Sequence, residues 1–239
     1  MLAHVISDIG LVRETNEDSY VCDPPHLFVV ADGMGGHVAG EIASKLAVTT
    51  VNGYIQEHVG KDNLEVLLKQ AINQANTSIY QMALSKEDFN GMGTTVTALY
   101  VDGETMYWGH VGDSRIYLLR NGRLNQITND HSLVWELVQS GNITKDEAHV
   151  HPKRNMLTRA VGTSCLITVD TGFVQWRPGD MVLMCTDGLT NMVSEEEICT
   201  LLQSKDCDIV SILNQLVIQS KDAGGFDNIT AILLKNEDA

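Results

Sequence analysis

A chain of 239 residues, 44% apolar and 20% charged, has ordinary globular composition and enough length for one large layered domain. Disordered, collagen-like and low-complexity classes are excluded. Asp and Glu total 31 against 16 Lys and Arg, a formal charge of -15, which argues against nucleic acid or an anionic membrane surface as partner.

The first strong strand signal is Leu27–Ala31, an unbroken apolar run of the kind covered on both faces, ending at Asp32-Gly33-Met34-Gly35-Gly36. Ile42, Leu46, Ala47, Val51, Tyr54 and Ile55 then recur at helical spacing, with Gly60 as the stop. A second helix is predicted from near Asp62, its buried stripe running from Leu64 through Leu68, Ala71 and Ile72 to Ile79. Strands follow at Thr94–Val101 and Thr105–Val111, joined by Asp102-Gly103, and at Ser114–Leu119, which runs into the hairpin signal Asn121-Gly122. Residues 130–162 are mixed and polar and read as a long surface excursion, a feature that is usually functional. Strands resume at Leu166–Val174 and Met181–Cys185, separated by a turn at Arg177-Pro178-Gly179-Asp180. Ser194-x-x-Glu197 is a capping box opening a short helix. Ile209, Ile212, Leu213, Leu216 and Val217 mark the final helix, and Asn228–Leu234 is the last strand. Hairpins and paired helices predict antiparallel sheets with helices outside rather than alternating βαβ units. No linker or repeat divides the chain, so residues 1–239 are expected to form one domain.

The five cysteines are odd in number and include no C-x-x-C, which argues against a disulfide framework or zinc ribbon. Reduced thiols in a cytoplasmic protein are the expectation. The N-terminus lacks the basic and apolar regions of a signal peptide, and no apolar run is long enough to span a bilayer.

The chemistry lies in the acids. Two buried strands end alike, one at Asp32-Gly33 and one at Asp187-Gly188. Asp227 precedes the last strand, Asp113 sits in Gly112-Asp113-Ser114, and Glu17-Asp18 forms a pair near the N-terminus. Any one of these alone reads as a strand-ending turn. Several converging carboxylates would repel one another and demand cations. Oxygen donors without His or Cys ligand spacing suit Mg²⁺ or Mn²⁺. Two such ions about 4 Å apart would activate a bridging water for attack on phosphorus. Arg13 could fork onto two phosphate oxygens, although alone it reads equally as a surface ion pair.

These residues fall into six ordered blocks: Arg13-x-x-Asn16-Glu17-Asp18, Asp32-Gly33-Met34-Gly35-Gly36-His37, Gly91-Met92-Gly93-Thr94-Thr95, Gly112-Asp113-Ser114-Arg115, Thr186-Asp187-Gly188-Leu189 and Asp227-Asn228-Ile229-Thr230. In this order they resemble the metal-dependent protein phosphatase family, in particular the bacterial PP2C-type Ser/Thr phosphatases, over nearly the whole chain. The resemblance implies an α+β fold, a four-layer αββα sandwich of two antiparallel sheets flanked by helix pairs. It implies hydrolysis of phosphoserine and phosphothreonine in proteins, by in-line attack of a metal-activated water. Asp32 would bridge two Mg²⁺ or Mn²⁺ ions, with the Gly33 carbonyl on the second and Asp187 and Asp227 on the first. Asp113 with Asp187 would hold a weaker third ion. Glu17, Asp18 and Thr95 would bond metal waters, and Arg13 would bind phosphate. The excursion corresponds to the flap of bacterial members, where His131, Lys153, Arg154 and Arg159 fall. Lys153, Arg154 and Arg159 could attract a phosphoprotein or simply form a solvated basic face.

Two departures stand out. Eukaryotic members often carry a leaving-group His where this chain has Met34, which leaves a metal-bound water or His37 for that role, His37 being equally readable as a helix-start residue. Asn191 occupies a position that is often Asp near the metal waters. Two other functions would leave different marks in the sequence. A catalytically inactive phosphoprotein-binding relative should lack a core acid, yet Asp32, Asp187 and Asp227 are all present. A nucleotide-dependent kinase should carry a glycine-rich phosphate loop, and neither G-x-x-x-x-G-K-[ST] nor a strand-following G-x-G-x-x-G occurs. The expected partners are a cognate Ser/Thr kinase and its phosphorylated targets, and the expected state is a monomer.

Overall fold

The computed structural model of the protein describes residues 1–35, 39–61, 63–204 and 207–237. Strands β1 (Leu2–Asp8), β2 (Asp18–Asp23) and β3 (Leu27–Met34) lead into helices α1 (Ala39–His58) and α2 (Leu64–Ser85). Next come β4 (Gly93–Thr94), β5 (Val96–Asp102), β6 (Thr105–Val111), β7 (Arg115–Arg120) and β8 (Arg123–Gln126). Short helices α3 (Leu133–Gln139) and α4 (Lys145–His149) lie in the excursion. The chain ends with β9 (Asp170–Gln175), β10 (Met181–Cys185), α5 (Asp187–Thr190), α6 (Glu195–Leu202), α7 (Ile209–Asp222) and β11 (Ile229–Lys235).

The strands form two antiparallel sheets. One is ordered β1-β11-β10-β7-β8 and the other β2-β3-β5-β6-β9, with β4 paired to β3. The apolar residues sort into three layers, as a four-layer αββα sandwich requires. Leu27, Val29 and Ala31 of β3 face α1 and α2. Phe28 and Val30, from the same strand, meet Val182, Met184, Ile232 and Leu234 between the sheets. Leu183, Cys185, Ala231 and Leu233 face α6 and α7. A strand with a neighbour on each face must be apolar at every position, which is why β3 and β10 are unbroken apolar runs.

The turn chemistry behaves as the sequence predicts. Asn121 and Gly122 both have positive φ, 52° and 75°, as a type I′ hairpin turn requires. Asp180 N–H donates to the Arg177 carbonyl at 3.0 Å, closing the turn before β10. The capping box is formed, with Glu197 N–H donating to Ser194 Oγ and Ser194 N–H to the Glu197 carboxylate. The strand expected at Leu166–Val174 starts only at Asp170, because Leu166 is solvated and the segment before Asp170 is a connection. Strands β1, β2 and β8 were not anticipated; each is a sheet edge with one poorly covered face and no continuous apolar run.

The excursion is stitched closed at its base. Thr158 N–H donates to the His131 carbonyl at 2.8 Å and Leu133 N–H to the Met156 carbonyl at 2.9 Å. Among the described residues, no helix is long and apolar enough to cross a membrane.

Candidate metal and phosphate site

Five connections converge at one end of the sandwich. The loop between β1 and β2 carries Arg13 and Glu17, and β2 opens with Asp18. Asp32 and Gly33 lie near the end of β3, Asp113 between β6 and β7, Asp187 at the start of α5, and Asp227 just before β11. Together with Met34, Gly35, Thr95, Asn155 and Leu157, all of these except Asp18 line a chamber of about 200 Å³. Asp18 lies behind it, as the direct cross-strand partner of Asp32. Like charges directly opposite one another on a sheet are destabilising, so this register is costly unless something positive lies beside it.

Backbone contacts fix the corner. Gly33 N–H donates to the Glu17 carbonyl at 3.1 Å. A Cβ at Gly33 would come within 2.2 Å of the Gly40 carbonyl oxygen, and one at Gly40 within 2.6 Å of Glu17 Oε2. Only glycine at both positions lets the first turn of α1 close on the end of β3. The Thr95 hydroxyl accepts from Asp32 N–H at 2.8 Å and lies 2.8 Å from Ser114 Oγ, so it braces both the Asp32 strand and the Asp113 turn. Asn228 ties the loop between β1 and β2 at three points: its Oδ1 accepts from Glu17 N–H at 2.8 Å, while Nδ2 donates to the Ile9 and Thr15 carbonyls at 3.0 Å. Thr186 Oγ1 donates to Asp18 Oδ2 at 2.9 Å, and Asn191 Nδ2 donates to Asp187 Oδ2 at 2.9 Å.

The electrostatics are those of crowded acids. Burial raises the Asp18 carboxyl to about 7, against the lowering effect of its hydroxyl partners. Burial, then the charges of Asp18, Asp187 and Asp113, holds Asp32 well above the ordinary carboxylate range. Asp113 is pushed up by burial and by Asp187 and Asp130. Asp187 rises through burial and Asp227. Glu17 rises through burial, opposed by Arg13. Arg13 Nη2 contacts Asp227 Oδ2 at 2.8 Å and is the cation of the chamber lining among the described residues.

These residues fit hard, hydrated divalent cations. The lining offers oxygen donors and, among the described residues, neither His nor Cys. Asp18 Oδ1 and Asp187 Oδ1 are buried with no hydrogen-bond partner, and such atoms are costly unless a ligand or ion meets them. Among the described residues, no three His, Cys, Asp or Glu side chains gather tightly enough to hold an ion by themselves. Asp227, turned to Arg13, is held by that ion pair. Carboxylates arriving singly around a chamber with room for several waters suit Mg²⁺ or Mn²⁺, which keep several waters and take few protein ligands.

The structure thus brings Arg13, Glu17, Asp32, Gly33, Thr95, Asp113, Asp187 and Asp227 to one chamber, with Asp18 and Asn191 directly behind its acids. His37 lies outside the described residues. The flap residues divide. Lys153 and Arg154 are solvated, and Arg154 borders a small cavity shared with Asp113 and Asp187. Arg159 Nη1 is paired with Asp170 Oδ1 at 2.7 Å. His131 is a buried clamp: its Nδ1 accepts from Gly112 N–H at 3.1 Å, its backbone N–H donates to the Gly112 carbonyl at 2.7 Å, and its Nε2 donates to Asp170 Oδ2 at 3.1 Å. It therefore seats the turn that carries Asp113. Sequence reasoning gave no role to Asn228, Thr186, Asn155 or Leu157. The first two stand inside motif blocks and could have been found there, whereas the last two lie in the excursion, where no pattern marks them.

Comparison with known proteins gives a consistent picture. The family described as Protein phosphatase 2C matches residues 13–232. The chain is 39% identical over 242 residues to the serine/threonine phosphatase stp of Listeria welshimeri, covering 98% of this chain and 96% of that one. The crystal structure of the Mycobacterium tuberculosis serine/threonine phosphatase PstP/Ppp superposes with a TM-score of 0.92 at 38% identity, covering 99% of both chains. The catalytic domain of PstP in complex with two manganese ions superposes at 0.90 with 37% identity, covering 99% of this chain and 98% of that one.

Proposed function

For a chain that belongs to the protein phosphatase 2C family, we propose the hydrolysis of phosphoserine and phosphothreonine in proteins, dependent on Mg²⁺ or Mn²⁺ and proceeding by in-line attack of water on phosphorus. The observation that carries this is Asp18 facing Asp32 across a ladder, at a chamber where Glu17, Asp113 and Asp187 are also raised and whose nearby cation is Arg13. Two divalent ions held by these acids would supply the positive charge needed to generate a nucleophile from water at neutral pH and to offset the developing phosphate charge.

The chain's own residues do the rest. Asp32, the Gly33 carbonyl, Asp187 and Asp227 would hold the two core ions, and Asp113 with Asp187 a weaker third. Glu17 and Asp18 would orient coordinated waters. Asn191 orients Asp187 through its amide, and Thr95 holds the Asp32 backbone. Arg13 presents a planar fork that matches two phosphate oxygens, whereas a lysine would offer a point charge. The solvated Lys153 and Arg154 would attract a phosphoprotein segment, and Arg154 borders the small cavity shared with Asp113 and Asp187. As a single catalytic unit, a cytoplasmic monomer, the protein would oppose a Ser/Thr kinase by acting on that kinase's targets.

The test is p-nitrophenyl phosphate hydrolysis with Mn²⁺, with Mg²⁺ and with EDTA. Wild-type turnover should require the ion. Asp187→Asn should lose on the order of a hundredfold in rate. Arg13→Ala should weaken substrate use while leaving the Mn²⁺ concentration for half-maximal activity unchanged. Turnover that persists in EDTA, or survives Asp187→Asn, would overturn the assignment.

A further inference from the structure

The two loops that carry Arg13 and Asp227 also carry exposed apolar residues that have no part in the chemistry above. In the loop between β1 and β2, Ile9, Leu11 and Val12 are 39%, 61% and 59% exposed, and Phe226, on the segment entering β11, is 58% exposed. Exposed hydrophobic residues scattered singly need no explanation, but several on two touching loops do.

The two loops form a rigid platform. Leu11 N–H donates to the Gly225 carbonyl at 2.8 Å. Gly10, at φ +78°, lies so close that a Cβ there would come within 2.3 Å of the Asp227 carbonyl oxygen. Asp8 Oδ1 accepts from Gly10 N–H at 2.8 Å, and Asp8 Oδ2 pairs with Lys221 of α7 at 3.1 Å. The exposure of Leu11, Val12 and Phe226 is therefore built in by backbone contacts and is not a consequence of fraying.

The platform is continuous with the chamber. Val12 and Phe226 are the chain neighbours of Arg13 and Asp227, which line the chamber and meet at 2.8 Å. Adjacent Cα atoms lie about 3.8 Å apart, so Val12 and Phe226 each stand one residue along the chain from a residue that lines the chamber. A phosphoprotein segment whose phosphate reaches Arg13 must lay its flanking residues on this edge or on the excursion. An acidic chain, at -15, gains little long-range attraction for a segment that itself carries phosphate. Apolar contact at the mouth is a source of affinity that this charge does not oppose.

We propose that Ile9, Leu11, Val12 and Phe226 bind an apolar side chain of the substrate within about three residues of the phosphoserine or phosphothreonine, and so set a sequence preference. The proposal rests on the phosphoprotein reading above, and its test keeps the two apart. Two phosphothreonine peptides are compared, one with Leu or Phe at the second positions on both sides and one with Ser there, beside p-nitrophenyl phosphate, which has no flanking residues. Wild type should show about a tenfold higher kcat/KM for the apolar-flanked peptide. The Leu11→Ser, Phe226→Ser double variant should lose that preference while hydrolysing p-nitrophenyl phosphate at the wild-type rate. Val12→Ser, which disturbs none of the glycine contacts, is run alongside so that a folding defect in the double variant does not decide the matter; it should lower the preference about threefold. Equal rates on the two peptides in the wild type, or an undiminished preference of about tenfold in Val12→Ser at full p-nitrophenyl phosphate activity, would overturn the proposal. Failure of the wild type on p-nitrophenyl phosphate with Mn²⁺ would instead remove the phosphatase reading beneath it.

Discussion

Two acidic clusters meet at the turn between β6 and β7, and the chain treats them oppositely. Asp130 is answered from within the sequence. Arg115 grips it with Nε at 3.0 and 3.1 Å and Nη2 at 2.6 Å, Gln126 adds a bond at 2.9 Å, and the free guanidinium nitrogen donates to the Tyr117 hydroxyl at 2.9 Å. Asp113, two residues before Arg115 in the chain, belongs to the other cluster, with Asp18, Asp32 and Asp187, where burial and mutual repulsion raise every carboxyl. A fold that gives one buried acid an arginine ion pair and, among the described residues, gives none of these four a salt bridge has left them for charge from outside the chain. The same contrast separates a structural ion pair from a binding site elsewhere in the sandwich, where Arg120 forks onto Asp180 with Nε at 2.9 Å and Nη2 at 2.6 Å.

The sharpest way to break the comparison is to remove the internal cation. Arg115→Met should leave Asp130 buried without its partner and destabilise the protein by about 3–5 kcal/mol in urea unfolding at pH 7, with or without Mn²⁺. A variant as stable as wild type would mean that Asp130 does not depend on Arg115, and the contrast with the chamber would fail.

The second test acts on the chamber itself. Asp18 has a folded value of about 7 against an ordinary value of 3.8, and Asp32, Asp113 and Asp187 are displaced the same way. Their folded pKa values lie above the unfolded ones, so the native state binds more protons within that window. Stability therefore falls as pH rises from about 4 to about 7. In EDTA the loss should be on the order of 3 kcal/mol across this range. Millimolar Mn²⁺ should flatten the slope near pH 7, because a bound ion favours the ionised carboxylates. A metal-free protein equally stable at pH 4 and pH 7, measured by chemical unfolding at each pH, would contradict the raised cluster.

The comparison also explains what could be read from the sequence. Asp32 and Asp187 were legible because each follows a strand that must be apolar at every position: Leu27–Ala31 runs straight into Asp32, and Met181–Cys185 stops one residue short of Asp187. The central layers were legible for the same reason. Edge strands were not. β1, β2 and β8 cover one face poorly and show no unbroken apolar run, and the start of β9, the remaining edge, was misplaced. The bracing groups were harder still. Nothing local marks the Asn228 amide as the joint between Glu17, Ile9 and Thr15, because its partners lie more than 200 positions away. His131 falls within the excursion, yet its work is to hold Gly112 and Asp170, which only the folded chain brings to it.

The smallest expected effect is the finest probe of the boundary between the clusters. Asn191 is exposed and its amide donates to Asp187 Oδ2 at 2.9 Å, one turn along α5. Asn191→Asp exchanges that donor for a second carboxylate beside Asp187. Because the position is solvated, the added repulsion is screened, and the metal-free protein should lose no more than about 0.5–1 kcal/mol. The same charge should strengthen cation binding, lowering the Mn²⁺ concentration for half-maximal p-nitrophenyl phosphate hydrolysis by about threefold while leaving maximal turnover within twofold. The two signs must appear together, since one added negative charge weakens a chamber without ions and favours one that holds them. A variant that lost stability and also needed more Mn²⁺ would show that the Asn191 amide matters for aiming Asp187, and that charge at this edge of the chamber is not what limits metal binding.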